Sequence, residues 1–356
     1  MSAPSWRIEA AGATHPGQRS HNEDSWRLDN DSAFYMVADG VGGRDAGEVA
    51  SRIACDVTVD QVRAGTGLAP ALAVANAAIR EAIAASGEGA SSMASTAVAL
   101  HLQPQARRFS LAWAGDSRLY LWDGRLKTLT RDHSLVESLL KRGEISRAEA
   151  DDHPRRNVIL TALGDTEAEL ETGENAGALT GSALFLLCSD GLSDVVPASV
   201  LCDIVCRDSD SLQTRADALV QAAVDAGGRD NITVVLVSWR DTAAAQASSS
   251  GVDGPVVYEA FDPVSGERIR NTEEDRAAPT IRRVPARSEQ TGSGHTGSGH
   301  TGSGHTGHGR AAPSSDLSQS GEASRTDRWR WRWWLAAVAL LAAGGIVADF
   351  VTRQGS

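Results

Sequence analysis

Ala33-Phe-Tyr-Met-Val-Ala-Asp-Gly-Val-Gly-Gly43 is a short apolar and aromatic run that stops on an Asp-Gly pair. Its composition predicts a strand over Ala33–Ala38, bounded by a turn signal and too short for a helix. The glycines after Asp39 let the backbone turn tightly and come close to a ligand. A carboxylate is thereby set at a strand end. The arrangement recurs outward from there. Asp190 lies in Leu187-Cys-Ser-Asp-Gly191, after the apolar run Ala183–Cys188. Asp230 lies in Gly227-Gly-Arg-Asp-Asn-Ile-Thr233, before the run Ile232–Trp239, and Asp24 closes Arg19-Ser-His-Asn-Glu-Asp24. Any one of these aspartates reads as a turn former. Together they describe carboxylates converging from separate strand ends, a hard oxygen-rich site that suits Mg²⁺ or Mn²⁺ rather than zinc.

Thr96–Leu102, Arg108–Ala114 and Leu119–Trp122 are further strand-like runs. Apolar residues at three- and four-residue spacing predict helices over Gly47–Val62, Pro70–Ala85 and Ser211–Ala226. Strands and helices do not alternate strictly, which favours antiparallel sheets covered by helices, an α+β class.

The chain has 356 residues and a formal net charge of −12, which argues against nucleic-acid binding. Its four cysteines (Cys55, Cys188, Cys202, Cys206) show no zinc spacing and no disulfide framework, as expected in a reducing cytosol. Cys202 and Cys206, one helical turn apart, are expected to be buried packing residues. Met1 to Gly12 lacks the basic start and apolar core of a signal peptide.

Composition changes after Trp239, dividing the chain into a globular part (1–239), a polar linker (240–328), an apolar segment (329–351) and a short tail (352–356). The linker carries a Thr-Gly-Ser-Gly-His repeat over 291–309, which cannot bury a core and is expected to be disordered. Its histidines (His295, His300, His305, His308) read as part of a polar spacer rather than a metal site. Arg328-Trp-Arg-Trp-Arg-Trp-Trp334 then leads into apolar sequence through Val351. From Trp333 a helix would be roughly 28 Å long, enough to cross a bilayer core. The tryptophans would form an interfacial belt, and the arginines on the N-terminal side would hold that flank in the cytoplasm. A single-pass transmembrane helix in the cytoplasmic membrane is expected, with the globular part inside the cell.

Four more blocks, Gly115-Asp-Ser-Arg-Leu-Tyr120, Leu129-Thr-Arg-Asp-His-Ser134, His153-Pro-Arg-Arg-Asn-Val158 and Ala162-Leu-Gly164, stand in order between the aspartate motifs. With these residues the chain resembles the type-2C metal-dependent Ser/Thr protein phosphatases in their bacterial form, over about residues 6–239. The resemblance implies an αββα sandwich of two antiparallel sheets flanked by helices. It also implies two Mn²⁺ or Mg²⁺ ions per domain and a water activated between them for attack on phosphorus. By the same resemblance Asp39 bridges the two ions and the Gly40 carbonyl completes one shell. Asp190 and Asp230 hold the inner ion, while Glu23 and Asp24 serve the outer one. Arg19 offers its fork to the phosphoryl oxygens. Asp116 has two compatible readings, a turn residue at the strand corner and, with Asp190, a ligand of a third, weaker ion.

The chain departs from animal and plant relatives at Val41, where they carry a histidine thought to act as general acid. His133 and His153 are other proton sources, though both read better as hydrogen-bonded loop histidines. Met93-Ala-Ser-Thr-Ala97 replaces the family's usual Met-Gly-Thr-Thr. Lys141 to Leu163 corresponds to the variable flap beside the site, a segment able to select substrates. The implied function is removal of phosphate from phosphoserine and phosphothreonine on proteins, opposing a bacterial Ser/Thr kinase. Two alternatives stand beside it: a phosphatase of an anti-sigma-antagonist-like regulator, and a membrane-tethered pseudophosphatase adaptor.

Overall fold

In the computed structural model every side chain of Phe34–Ala38 (β3) is buried. Phe34, Met36 and Ala38 join one core and Tyr35 and Val37 another, as the two-residue period of a strand requires. A strand sealed on both faces must lie between two layers. The structure describes residues 6–42, 46–86, 93–166, 169–179 and 181–242, with the backbone alone of 257–262 and 267–270. All of these belong to one compact unit, residues 1–287.

Two sheets stack. The first is built from Trp6–His15 (β1), Ile232–Asp241 (β12), Ala183–Cys188 (β11), Arg118–Trp122 (β8) and Leu126–Thr128 (β9), in that order. The second runs Glu267–Arg270 (β14), Val257–Asp262 (β13), Gly173–Ala178 (β10), Arg108–Ala114 (β7), Ala97–Gln103 (β6), β3 and Ser25–Asp29 (β2). Within both sheets all neighbours are antiparallel. Trp113, Phe185, Val235, Val237 and Trp239 fill the space between them. The outer face of the second sheet is covered by Ala46–Arg63 (α1) and Leu68–Ala85 (α2). The outer face of the first is covered by Ala198–Val205 (α6) and Leu212–Asp225 (α7). This is the expected αββα sandwich. Gly40–Val41 (β4) and Ala94–Ser95 (β5) form a separate small pair. Leu135–Lys141 (α3), Arg147–Asp151 (α4) and Asp190–Ser193 (α5) are short local helices.

The register fixes where the carboxylates lie. Cys188 pairs with both Val234 and Arg118, Ser25 with Ala38, and Ala97 with Ala114. Asp24, Asp39, Asp116, Asp190 and Asp230 each sit just beyond one of those positions, so all five stand at the same end of the sandwich.

Two expectations need correction. Cys202 is buried as expected, but Cys206 caps the end of α6 and is half-exposed, its Sγ facing the Asp203 carbonyl. The boundary at Trp239 is also too early. β12 continues to Asp241, and β13 pairs with β10 over Glu174↔Phe261 to Ala178↔Val257. Without β13, β10 would be an open edge with unpaired backbone groups. The histidine repeat and the 329–351 segment lie outside the described residues. Among those described, only α2 is long and apolar enough to cross a membrane, and its apolar stripe packs on the second sheet instead.

Candidate metal centre

Asp39 owes its position to backbone bonds at the strand end. Its N–H donates to Thr96 Oγ1 at 3.1 Å, and its carbonyl accepts from Thr96 N at 2.9 Å and Ser95 Oγ at 3.1 Å. The Met93–Ala97 block, where the chain departs from the family motif, is thus the cradle of Asp39 through Ser95 and Thr96. Gly40 follows, pressed so close to Gly47 and Glu23 that a Cβ there would lie 2.1 Å from the Gly47 carbonyl oxygen. Only glycine fits.

Asn231 ties the Arg19–Asp24 loop to the Asp230 turn. Its Oδ1 accepts from Glu23 N at 2.7 Å, while its amide donates to the carbonyls of His21 at 2.9 Å and Pro16 at 3.1 Å. Ser189 donates to Asp24 Oδ2 at 2.9 Å and accepts from Thr233 N at 3.0 Å. Asn231, Ser189 and Thr96 were not picked out from sequence. Each sits inside or beside a motif quoted for its aspartate, and an amide or hydroxyl next to a converging carboxylate was the available signal. Asp194, also missed, belongs to the same charged cluster.

The carboxylates crowd one another. Burial first, then the charges of Asp24, Asp190, Asp116 and Asp230, push Asp39 well above the ordinary carboxylate range. Burial, with Asp116, Asp194 and Asp230 adding, does the same to Asp190. Burial raises Asp24 to about 6 against hydrogen bonds from Thr233 and Ser189. Burial together with Asp132 and Asp194 raises Asp116 to about 7. Of these charges, those of Asp24 and Asp190 act most strongly on Asp39, a crowding that like charges tolerate only by sharing a proton or a cation.

No group of three or more Asp, Glu, His and Cys side chains among the described residues forms a finished cage as it stands. The donor set nevertheless fits divalent cations. Asp24, Asp116 and Asp190 each keep one buried carboxylate oxygen, Oδ1, with no hydrogen-bond partner, the kind of acceptor a hard cation satisfies.

Arg19 stands at the edge of this cluster, more than half exposed, with Nη2 donating to Asp230 Oδ2 at 2.7 Å. Glu23 reaches the neighbourhood of Gly47. His133 is buried, its ring stacked on Trp113 and its Nδ1 accepting from Gly115 N at 3.3 Å, so it holds the Asp116 turn rather than facing a substrate. His153 lies in the flap and accepts from Arg155 N at 3.1 Å, a loop histidine as expected. Arg118 and Asp132, from two of the ordered blocks, form a forked ion pair with Nη2–Oδ2 at 2.6 Å and Nε–Oδ1 at 2.9 Å. Beside it a cleft of about 290 Å³ opens between Asp116, Asp194 and the flap arginines Arg147 and Arg156.

Known proteins agree with this geometry. The family profile "Protein phosphatase 2C" matches residues 11–226. The serine/threonine phosphatase stp of Listeria welshimeri is 37% identical over 232 residues, covering 62% of this chain and 90% of that protein. The crystal structure of the Mycobacterium tuberculosis serine/threonine phosphatase PstP/Ppp superposes with a TM-score of 0.57 at 32% identity, over 65% of this chain and 97% of that one. A PstP catalytic domain in complex with two manganese ions gives a TM-score of 0.57 at 30% identity, over 66% of this chain and all of the other. Five aspartates at one end of an αββα sandwich, three with unsatisfied buried oxygens, and a matched profile over most of that sandwich place the chain in the protein phosphatase 2C family of Mn²⁺- or Mg²⁺-dependent enzymes.

Proposed function

We propose that this chain is a metal-dependent protein phosphatase that hydrolyses phosphoserine and phosphothreonine on proteins. The observation that carries the reading is Asp39, held by its backbone at a strand end and crowded by the charges of Asp24, Asp190, Asp116 and Asp230. Asp39 would bridge two divalent cations, with Gly40 offering its carbonyl, Asp190 and Asp230 on the inner ion, and Asp24 and Glu23 on the outer. When bound, the ions supply an activated water at neutral pH and screen the charge on the phosphoryl oxygens. The chain's own part is to orient. Thr96, Ser189 and Asn231 fix three of the carboxylate-bearing segments so that little reorganisation accompanies the reaction. Arg19 presents two parallel N–H donors to the phosphoryl group, and Asp116 with Asp190 would take a third, weaker ion. The flap cleft, with Arg147 and Arg156 on its wall, would receive chain flanking the phosphoresidue.

Membrane tethering through residues 329–351, a cytoplasmic catalytic domain and opposition to a Ser/Thr kinase complete the proposal. They rest on the Arg/Trp-flanked apolar segment and on the cytosolic character of the cysteines. Turnover of a phosphothreonine peptide with and without Mn²⁺ tests the enzyme. The full chain should turn over with Mn²⁺ and stop on EDTA, and Asp39→Asn should retain no more than about a thousandth of the rate. Failure of the Mn²⁺-loaded wild-type chain to turn over would favour an adaptor.

A further inference from the structure

At the opposite end of the sandwich from the carboxylates, a cleft of about 610 Å³ lies between the first sheet and Arg215 of α7. Trp122, Leu184 and Ser238 form one cross-strand row on the helix-facing side, because Leu184 pairs with both Trp122 and Ser238. Their side chains give a floor of one indole, one branched alkyl group and one hydroxyl. Arg215, from α7, stands over that row and is itself buried. Its guanidinium is poorly matched. Nη1 donates to the Val205 carbonyl at 2.8 Å, Nε has no partner, and the nearest carboxylate is Asp208 at 3.9 Å, on a side chain that is 84% exposed. A buried cation with a loose counter-ion is costly and attracts an anion.

The charge of the cleft limits which anion. Asp123 at the rim is neutralised by Lys127 at 2.7 Å, and Asp241 by Arg107. Arg215 and Arg240 then face Asp208 alone, an excess of one positive charge. A dianion would overshoot that single excess charge, whereas a monoanion balances it. The floor adds a preference for a flat ring against the indole.

We propose that this cleft is a binding site for a small planar monocarboxylate, its acid group on Arg215 and its ring on Trp122 and Leu184. The site is separate from the metal centre: Leu184 lies near the start of β11 and Asp190 two residues past its end, roughly 20 Å apart at the rise of a strand. Asp208 is the competing counter-ion that the ligand displaces.

Benzoate is the probe, titrated into the full-length chain and followed by saturation transfer to its ring protons and by the Trp122 indole N–H resonance. Saturable binding in the millimolar range is expected for so small a ligand. Asp208→Asn, at an exposed position where only the loose counter-ion of Arg215 is removed, should tighten it at least threefold, while Trp122→Leu and Arg215→Gln should weaken it tenfold or more. Binding should persist in Asp39→Asn, which separates this cleft from the metal centre. No saturable shift at Trp122, or benzoate affinity unchanged in Asp208→Asn, overturns the proposal even if Arg215→Gln fails to fold. Loss of binding in Asp39→Asn overturns it too, by placing benzoate at the metal centre.

Discussion

Arg19 Nη2 lies 2.7 Å from Asp230 Oδ2, so a side chain suited to phosphate is bonded to one suited to metal. The pair is about half exposed on both sides, where an ion pair contributes roughly 0–1 kcal/mol. Neither partner is therefore committed to the other. A cation at Asp230 competes for the same carboxylate, and a phosphoryl group competes for the same guanidinium.

Arg19→Ala should consequently leave the melting temperature within about 2 °C of wild type. Its effect should fall on substrate, with KM for a phosphothreonine peptide raised about tenfold or more and a smaller loss in kcat. Arg19→Lys should recover little, because an ammonium cannot match the forked geometry. An unchanged KM in Arg19→Ala would remove the arginine from the phosphate.

Asn231 behaves differently because it is buried and spends both ends of its amide on the Arg19–Asp24 loop. Asn231→Ala leaves one N–H and two carbonyls without their partner, at a cost of about 1–3 kcal/mol. The displaced segment carries Glu23 and Asp24, so Mn²⁺ titration of activity should shift to higher concentration together with the fall in melting temperature. A lower melting temperature with an unaltered Mn²⁺ midpoint would make Asn231 a fold residue alone.

The aspartates, the order of the motif blocks and six of the strands were legible because each strand of that set is apolar on at least one face and ends on a turn residue. β10 was not, and its reason is packing. A Cβ at Gly173 would lie 2.2 Å from the Trp113 indole, so this strand must be made of small residues that carry no strand propensity. β1 was hidden likewise: Gly12 lies against Trp26, where a Cβ would come within 2.9 Å of the ring. The roles of Asn231 and Ser189 depend on contacts spanning 208 and 165 residues, which no local pattern carries.

Metal-free protein should lose stability as pH rises. Asp24 and Asp116 titrate near 6 and near 7 in the fold, against an ordinary value of 3.8. Between about pH 4 and pH 7 the folded chain therefore holds protons that the unfolded chain has released, and stability declines across that window. In EDTA the melting temperature should drop on the order of 5 °C from pH 5 to pH 8. Saturating Mn²⁺ should flatten or reverse the slope, because the cation replaces the protons. A melting temperature in EDTA that rises over this range would contradict the crowded-carboxylate reading.

The end of the catalytic unit can be located by shortening the chain at two points. Stopping after Trp239 removes Arg240 and Asp241, whose backbones pair with Arg7 and Trp6, and with them the buried carboxylate that holds Arg107. It also strips β13 from β10. Stopping after Arg270 keeps all of these. The shorter protein should melt several degrees lower, while the longer one should match the full chain in melting temperature and in turnover of a small phosphopeptide. The two should agree in one respect: both lack residues 329–351 and should leave the membrane fraction, losing rate against a membrane-anchored phosphoprotein through the fall in effective concentration. Equal melting temperatures would return the boundary to Trp239, and full-length protein recovered in the soluble fraction would refute the tether.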